Sequence, residues 1–143
     1  MKNIILILSL TITNVMLSQD EIISIGEKPI VYLIRDTGLQ GALRATHIFF
    51  NTEKVCKLNN KRFSMHSLEV GEYTIYAQSG GKKPRKKALN LNIKLEAGKT
   101  YYIYMTTESV DYGREFYELT LGLITEEFAL DRLKTLKLDK KCY

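Results

Sequence analysis

The residues with the clearest chemical character are Ser79-Gly80-Gly81-Lys82-Lys83-Pro84-Arg85-Lys86-Lys87. Lys82, Lys83, Arg85, Lys86 and Lys87 place five cations within six positions, and such a run repels itself unless it is solvated or faces an anion. The chemistry open to it is capture of phosphate or carboxylate groups, at roughly 1 kcal/mol per cation near an anionic surface. Solubility alone is the plainer role for the same residues. No aromatic residue lies within the run to stack a base, which disfavours a nucleic-acid partner.

Other chemistry finds little support. Nucleophilic hydrolysis needs a positioned Ser or Cys with His and an acid, yet there is no Gly-x-Ser-x-Gly and only His47 and His66 are present. Two histidines on neighbouring strands would hold a metal only if a carboxylate joined them. No phosphate-cradling glycine loop, nucleotide fingerprint or His-Glu-x-x-His appears. The expectation is no catalytic residue, no metal and no cofactor, with a hydrolase whose site is unrecognised as the remaining enzymatic alternative.

Cys56 and Cys142 are the two cysteines. Joined, they would close a long loop and pin the C-terminus, contributing about 4 kcal/mol in the chain-entropy model. Two unpaired thiols is the other reading. Their redox state depends on compartment, which the first residues address. Met1-Lys2-Asn3 is a short positive start, Ile4 to Ile12 is nearly all apolar, and Val15-Met16-Leu17-Ser18 runs into Gln19-Asp20-Glu21. That order describes a secretory signal peptide, and the apolar run is shorter than the ~20 residues of a membrane span. Cleavage is expected after Ser18. No Cys follows the apolar run to carry a lipid. The mature chain is expected to be soluble, in the periplasm or outside the cell.

The elements that must position these residues are strands. Apolar residues make up 45% and charged residues 26% of the 143, which fits an ordered globular chain. Nine Tyr and five Phe with only two Pro favour strands. The net charge of +5 is too mild for a nucleic-acid binder. Strands are expected at Ile30–Arg35, Arg44–Phe50, Val55–Leu58, Phe63–Glu69, Leu89–Leu95, Tyr101–Thr106 and Glu115–Leu121. Within Arg44–Phe50 both faces are apolar, so cover on both sides is expected. Leu89, Leu91, Ile93 and Leu95 alternate with Asn90, Asn92 and Lys94, the pattern of a half-buried strand. Asn59-Asn60-Lys61 reads as a tight turn, with Asn taking the left-handed position. Helical spacing returns at Glu126–Leu136, with Thr125 as N-cap.

An internal echo links Leu68-Glu69-Val70-Gly71-Glu72-Tyr73 to Leu95-Glu96-Ala97-Gly98-Lys99-Thr100-Tyr101-Tyr102. Each is a strand end, a glycine turn and a Tyr-led strand. A Tyr so placed can tuck under the turn and bond its backbone, as in the tyrosine corner of immunoglobulin-like sandwiches. With the opening strand Lys28-Pro29-Ile30-Val31-Tyr32-Leu33-Ile34-Arg35, these turns resemble a domain-of-unknown-function family of small bacterial envelope proteins. The likeness covers roughly Pro29 to Leu121. The motifs are similar, more loosely, to PEGA and carboxypeptidase-regulatory-like sandwiches. Val70 stands where that family usually has Pro, and the lipobox Cys of many relatives is missing. The resemblance implies a fold without an assigned reaction.

The resulting expectation is an all-β chain: a single antiparallel sandwich, transthyretin- or immunoglobulin-like, of about seven or eight strands with a short C-terminal helix. Its divisions are a signal peptide at 1–18, an extension at 19–28, the sandwich at 29–121 and a helix and tail at 122–143. The expected role is a non-catalytic envelope module for a protein or polymer. The alternative is an anion-surface binder acting through residues 82–87 on lipopolysaccharide, phospholipid or an acidic partner.

Overall fold

The computed structural model describes residues 27–39, 41–111 and 115–142. The expected signal peptide and most of the expected extension lie outside them. The described residues form nine strands and one helix in two facing sheets, an all-β sandwich with a C-terminal helix. In chain order these are β1 (Ile30–Arg35), β2 (Thr46–Phe50), β3 (Glu53–Leu58), β4 (Arg62–Ser67), β5 (Gly71–Gln78), β6 (Leu89–Leu95), β7 (Thr100–Asp111), β8 (Glu115–Leu123), α1 (Glu126–Leu133) and β9 (Lys137–Leu138).

One sheet has the order β8-β7-β1-β4-β9 and the other β3-β2-β5-β6. Two pairings depart from the antiparallel expectation: β1 runs parallel to β7 and β4 parallel to β9. The reason is connectivity. No tight hairpin joins β1 to β7; five strands intervene, so nothing forces the chain to reverse between them. The ninth strand is the two-residue β9, too short to leave an alternating signature.

The core follows side-chain parity. Val31 and Leu33 on β1 meet Ile48 and Phe50 on β2, Ile75 and Ala77 on β5, and Ile103 and Met105 on β7. Along β6, Ile93 and Leu95 are buried while Asn92 and Lys94 are exposed, as the alternation requires. The two echoed tyrosines tie down their turns. Tyr73 Oη donates to the Glu69 carbonyl at 3.2 Å, and Tyr101 Oη accepts from the Glu96 N–H at 2.9 Å. Gly98 in the second turn has φ 71°, a region where a Cβ is strained.

A second cluster on the other side of the larger sheet joins Ile34, Tyr102, Ala129 and Leu136. Helix α1 covers this side. Thr125 Oγ1 caps it by accepting from the Phe128 N–H at 3.4 Å, and Glu126 and Glu127 occupy the positive end of its dipole. Tyr102 Oη donates to Glu126 at 3.2 Å, and the rings of Tyr104 and Phe128 meet edge to face. The helix ends at Leu133 rather than Leu136. Leu136 reaches the same cluster from the following turn, so its spacing imitates one more helical turn.

The left-handed residue of the β3–β4 turn is Lys61, with φ 53°, instead of an asparagine. Asn60 is engaged elsewhere: its Oδ1 accepts from the N–H and hydroxyl of Thr37, both at 2.9 Å, and its Nδ2 donates to Gly38 at 2.7 Å. Asn59 anchors the tail. Its N–H and Nδ2 both donate to Asp139 Oδ2, at 3.1 and 2.9 Å, while the Lys141 N–H donates to Oδ1 at 3.2 Å. Burial by itself would raise the Asp139 pKa, but these donors and the nearby Arg62 charge hold it below its ordinary value.

That depression fixes a sign. Stability from Asp139 is fully present above its unfolded pKa, about 4, and is lost as pH falls through the lower folded value. In denaturant unfolding, wild type and Asp139→Asn should therefore differ near neutral pH and converge as the pH falls below about 4. A gap that widens on acidification would contradict the assignment.

Candidate functional site

The basic run connects β5 to β6, and the structure does not leave it as a free loop. Gln78, the last residue of β5, is 7% exposed and holds the turn from inside. Its Nε2 donates to the carbonyls of Gly80 at 2.8 Å and Lys83 at 3.0 Å, while its Oε1 accepts from the Arg85 N–H at 2.9 Å. His47 Nδ1 lies 3.1 Å from the Gly81 carbonyl, and the Ala88 N–H donates to Arg85 at 3.0 Å. The loop is thus built on backbone groups, and its charged side chains are left to the surface.

Lys82, Lys83, Arg85, Lys86 and Lys87 are all exposed. Among the described residues, none of the five is in an ion pair; the three pairs are Lys28–Glu69, Lys99–Glu96 and Lys134–Asp131. The sequence places these five cations correctly on a surface loop. It misses their surroundings.

Those surroundings are the outer face of β2, β5 and β6. Register pairs Tyr76 with Asn90 and Thr74 with Asn92, and Thr74 Oγ1 donates to Asn92 Oδ1 at 2.8 Å. Phe49, in register with Tyr76, is fully buried on this face. The cover expected on both sides of this strand is therefore present at Phe49, while His47 is half-buried. Lys83, Pro84, Arg85 and Lys86 line an open concavity of about 720 Å³ together with Thr52, Thr74, Tyr76, Asn90 and Asn92. Among the described residues, no carboxylate lines it. Cations and neutral hydrogen-bonding groups lining one concavity suit phosphate or carboxylate oxygens. The outward parity of Asn90 and Asn92 was the available signal; that the loop would fold toward them was not.

Gly81 sets the loop's geometry. It has φ +94°, and a Cβ there would stand 2.7 Å from Gln78 Nε2. Gly81→Ala should therefore break the anchor and lower stability by about 1–2 kcal/mol from the left-handed backbone alone. Faster hydrogen exchange at the Arg85 amide would register the same change. Unaltered exchange there would show that the anchor tolerates the methyl group.

The other residues with chemical character lie apart. His66 is on β4 in the opposite sheet from His47. Its Nε2 is 2.9 Å from Ser64 Oγ, but Ser64 is only 2% exposed, and the ring packs edge-on to Phe50. Cys56 and Cys142 form a disulfide with Cα atoms 4.5 Å apart, linking β3 to the tail after β9. Among the described residues, no three of His, Cys, Asp and Glu come together as a metal-holding group, and no helix is long and apolar enough to cross a membrane.

Searches of the curated proteins and of the solved structures returned no match. A family model described as a protein of unknown function matches residues 26–115, from just before β1 into the start of β8. Covering β1 to β7 and the basic loop, that match shows that the chain belongs to the DUF2846 family.

Proposed function

We propose that this chain is an exported, non-catalytic binding module of the bacterial cell envelope, and that it holds phosphate-bearing surfaces on the outer face of its β3-β2-β5-β6 sheet. The observation that carries the reading is the pinned loop: five cations that, among the described residues, have no ion-pair partner stand beside a concavity that no described carboxylate lines. Pinning matters because a loop already ordered by Gln78 loses less conformational entropy on binding than a free one would. The leader-like first residues and the cysteine pair support an oxidising, extracytoplasmic setting. The kinship of the sandwich to transthyretin- and PEGA-like domains belongs to the same proposal and rests on the two glycine–tyrosine turns.

The natural ligands for such a face are phospholipid head groups or lipopolysaccharide phosphates. The experiment is co-sedimentation of the chain with phosphatidylglycerol-containing vesicles and with pure phosphatidylcholine vesicles, across a salt series. Binding to the anionic vesicles alone, lost by about 1 M salt where the Debye length is about 3 Å, is the expected result. Equal binding to both vesicles, or none to either, would overturn the reading.

A further inference from the structure

Arg35, at the end of β1, is the one charged side chain carried into the sandwich by the parity of Val31 and Leu33, and it is 3% exposed. Its Nη1 donates to the Leu58 carbonyl and its Nη2 to the Gly41 carbonyl, both at 2.9 Å. These partners are neutral. Nε is buried without a hydrogen-bond partner, and no carboxylate among the described residues pairs with the guanidinium. Burial holds its pKa below the ordinary arginine range. A desolvated cation without a counter-ion is an unfavourable arrangement that an arriving anion relieves.

Arg35 forms part of a cleft of about 470 Å³ at the end of the sandwich where β1 stops and β2 begins. Arg44 adds a second, exposed cation, and Thr46 and Ser79 contribute hydroxyl groups. Ala45 and Leu119 supply apolar surface beside them. Among the described residues, no Asp or Glu lines this cleft either.

We propose that this cleft binds a small organic carboxylate with an apolar body. The two arginines and hydroxyl groups meet the charged end, since guanidinium groups match the two oxygens of a carboxylate. The apolar surface meets the body. Inorganic phosphate is the poorer fit, because it would leave that surface uncovered and strip water from more of its own oxygens. The site is separate from the loop face: none of the five loop cations lines it.

The test is a titration of the ¹⁵N-labelled chain with benzoate, with neutral benzamide and with inorganic phosphate. Benzoate should shift the amides of Gly41, Thr46 and Ser79 saturably, whereas benzamide and phosphate should leave them in place. Arg44→Gln, at an exposed position, should weaken benzoate about fivefold to tenfold, or roughly one decade in Kd. Arg35→Met should abolish the response, and the Arg44 variant keeps the test decisive if that one fails to fold. The chain with all five loop cations changed to alanine should bind benzoate as wild type does, which separates this site from the loop face. Equal shifts with benzamide, a response to phosphate in place of benzoate, or an unchanged affinity in Arg44→Gln would overturn the proposal.

Discussion

Changing Lys82, Lys83, Arg85, Lys86 and Lys87 together to alanine is expected to lower affinity for anionic vesicles by at least about a hundredfold. Each cation near such a surface contributes roughly 1 kcal/mol, and about 1.4 kcal/mol is tenfold in affinity. Lys83, Arg85 and Lys86 line the concavity, so those three alone account for about two decades on that scale. Lys82 and Lys87 add to this insofar as they face the same surface. The loop itself should survive the change. Gln78 bonds the backbone carbonyls of Gly80 and Lys83 and the backbone amide of Arg85, none of which alanine removes. An unchanged melting temperature with lost binding is therefore the full expected result. Retained binding would place the anionic contact elsewhere.

Removing the disulfide is expected to have the largest effect on stability. Cys56 and Cys142 are 86 residues apart in sequence, and closing a loop of that length restricts the unfolded chain by about 4 kcal/mol in the chain-entropy model. The bond also holds the tail against the sheet. Cys56 is 2% exposed in the core and Cys142 packs against the same cluster. Between the helix and the bond, the Asp139 N–H donates to the Phe63 carbonyl at 2.8 Å. The double variant Cys56→Ala with Cys142→Ala should lose about 4 kcal/mol in denaturant unfolding, and exchange at the Asp139 amide should quicken first. A loss below about 1 kcal/mol would mean that the unfolded chain is already compact around this pair.

What the sequence revealed of this fold depended on how local each signal was. Leu89, Leu91, Ile93 and Leu95 announced β6 because a strand with one covered face alternates strictly. Gly71 with Tyr73 and Gly98 with Tyr101 announced two turns, since each Tyr bonds backbone only four or five residues away. Parallel pairing of β1 with β7 left no such mark, because it depends on contacts some 70 residues apart.

The same distinction governs the sites. Five cations in six residues are visible in any listing of the chain, and the pairing of Cys56 with Cys142 was one of two open readings. Gln78 was not visible as an anchor, because a single Gln at a strand end is ordinary until its three backbone bonds are known. Arg35 did leave a signal. Counting in twos from Val31 and Leu33 brings it to the core face, and a charge at a core parity position is a question the sequence asks on its own. That its partners among the described residues are neutral could emerge only once Leu58 and Gly41 were brought to it from other parts of the chain.

The claim that the loop and its sheet form one anion-holding face is tested most directly by mapping where an anionic surface touches the chain. Amide shifts of the ¹⁵N-labelled protein should be followed during titration with small phosphatidylglycerol-containing bicelles at low salt. The predicted result is a cluster of shifts at Lys83, Arg85, Lys86, Asn90 and Asn92, extending to Thr52 and Thr74 and fading as salt is raised. Shifts confined to the opposite sheet, to helix α1, or to no region at all would contradict it.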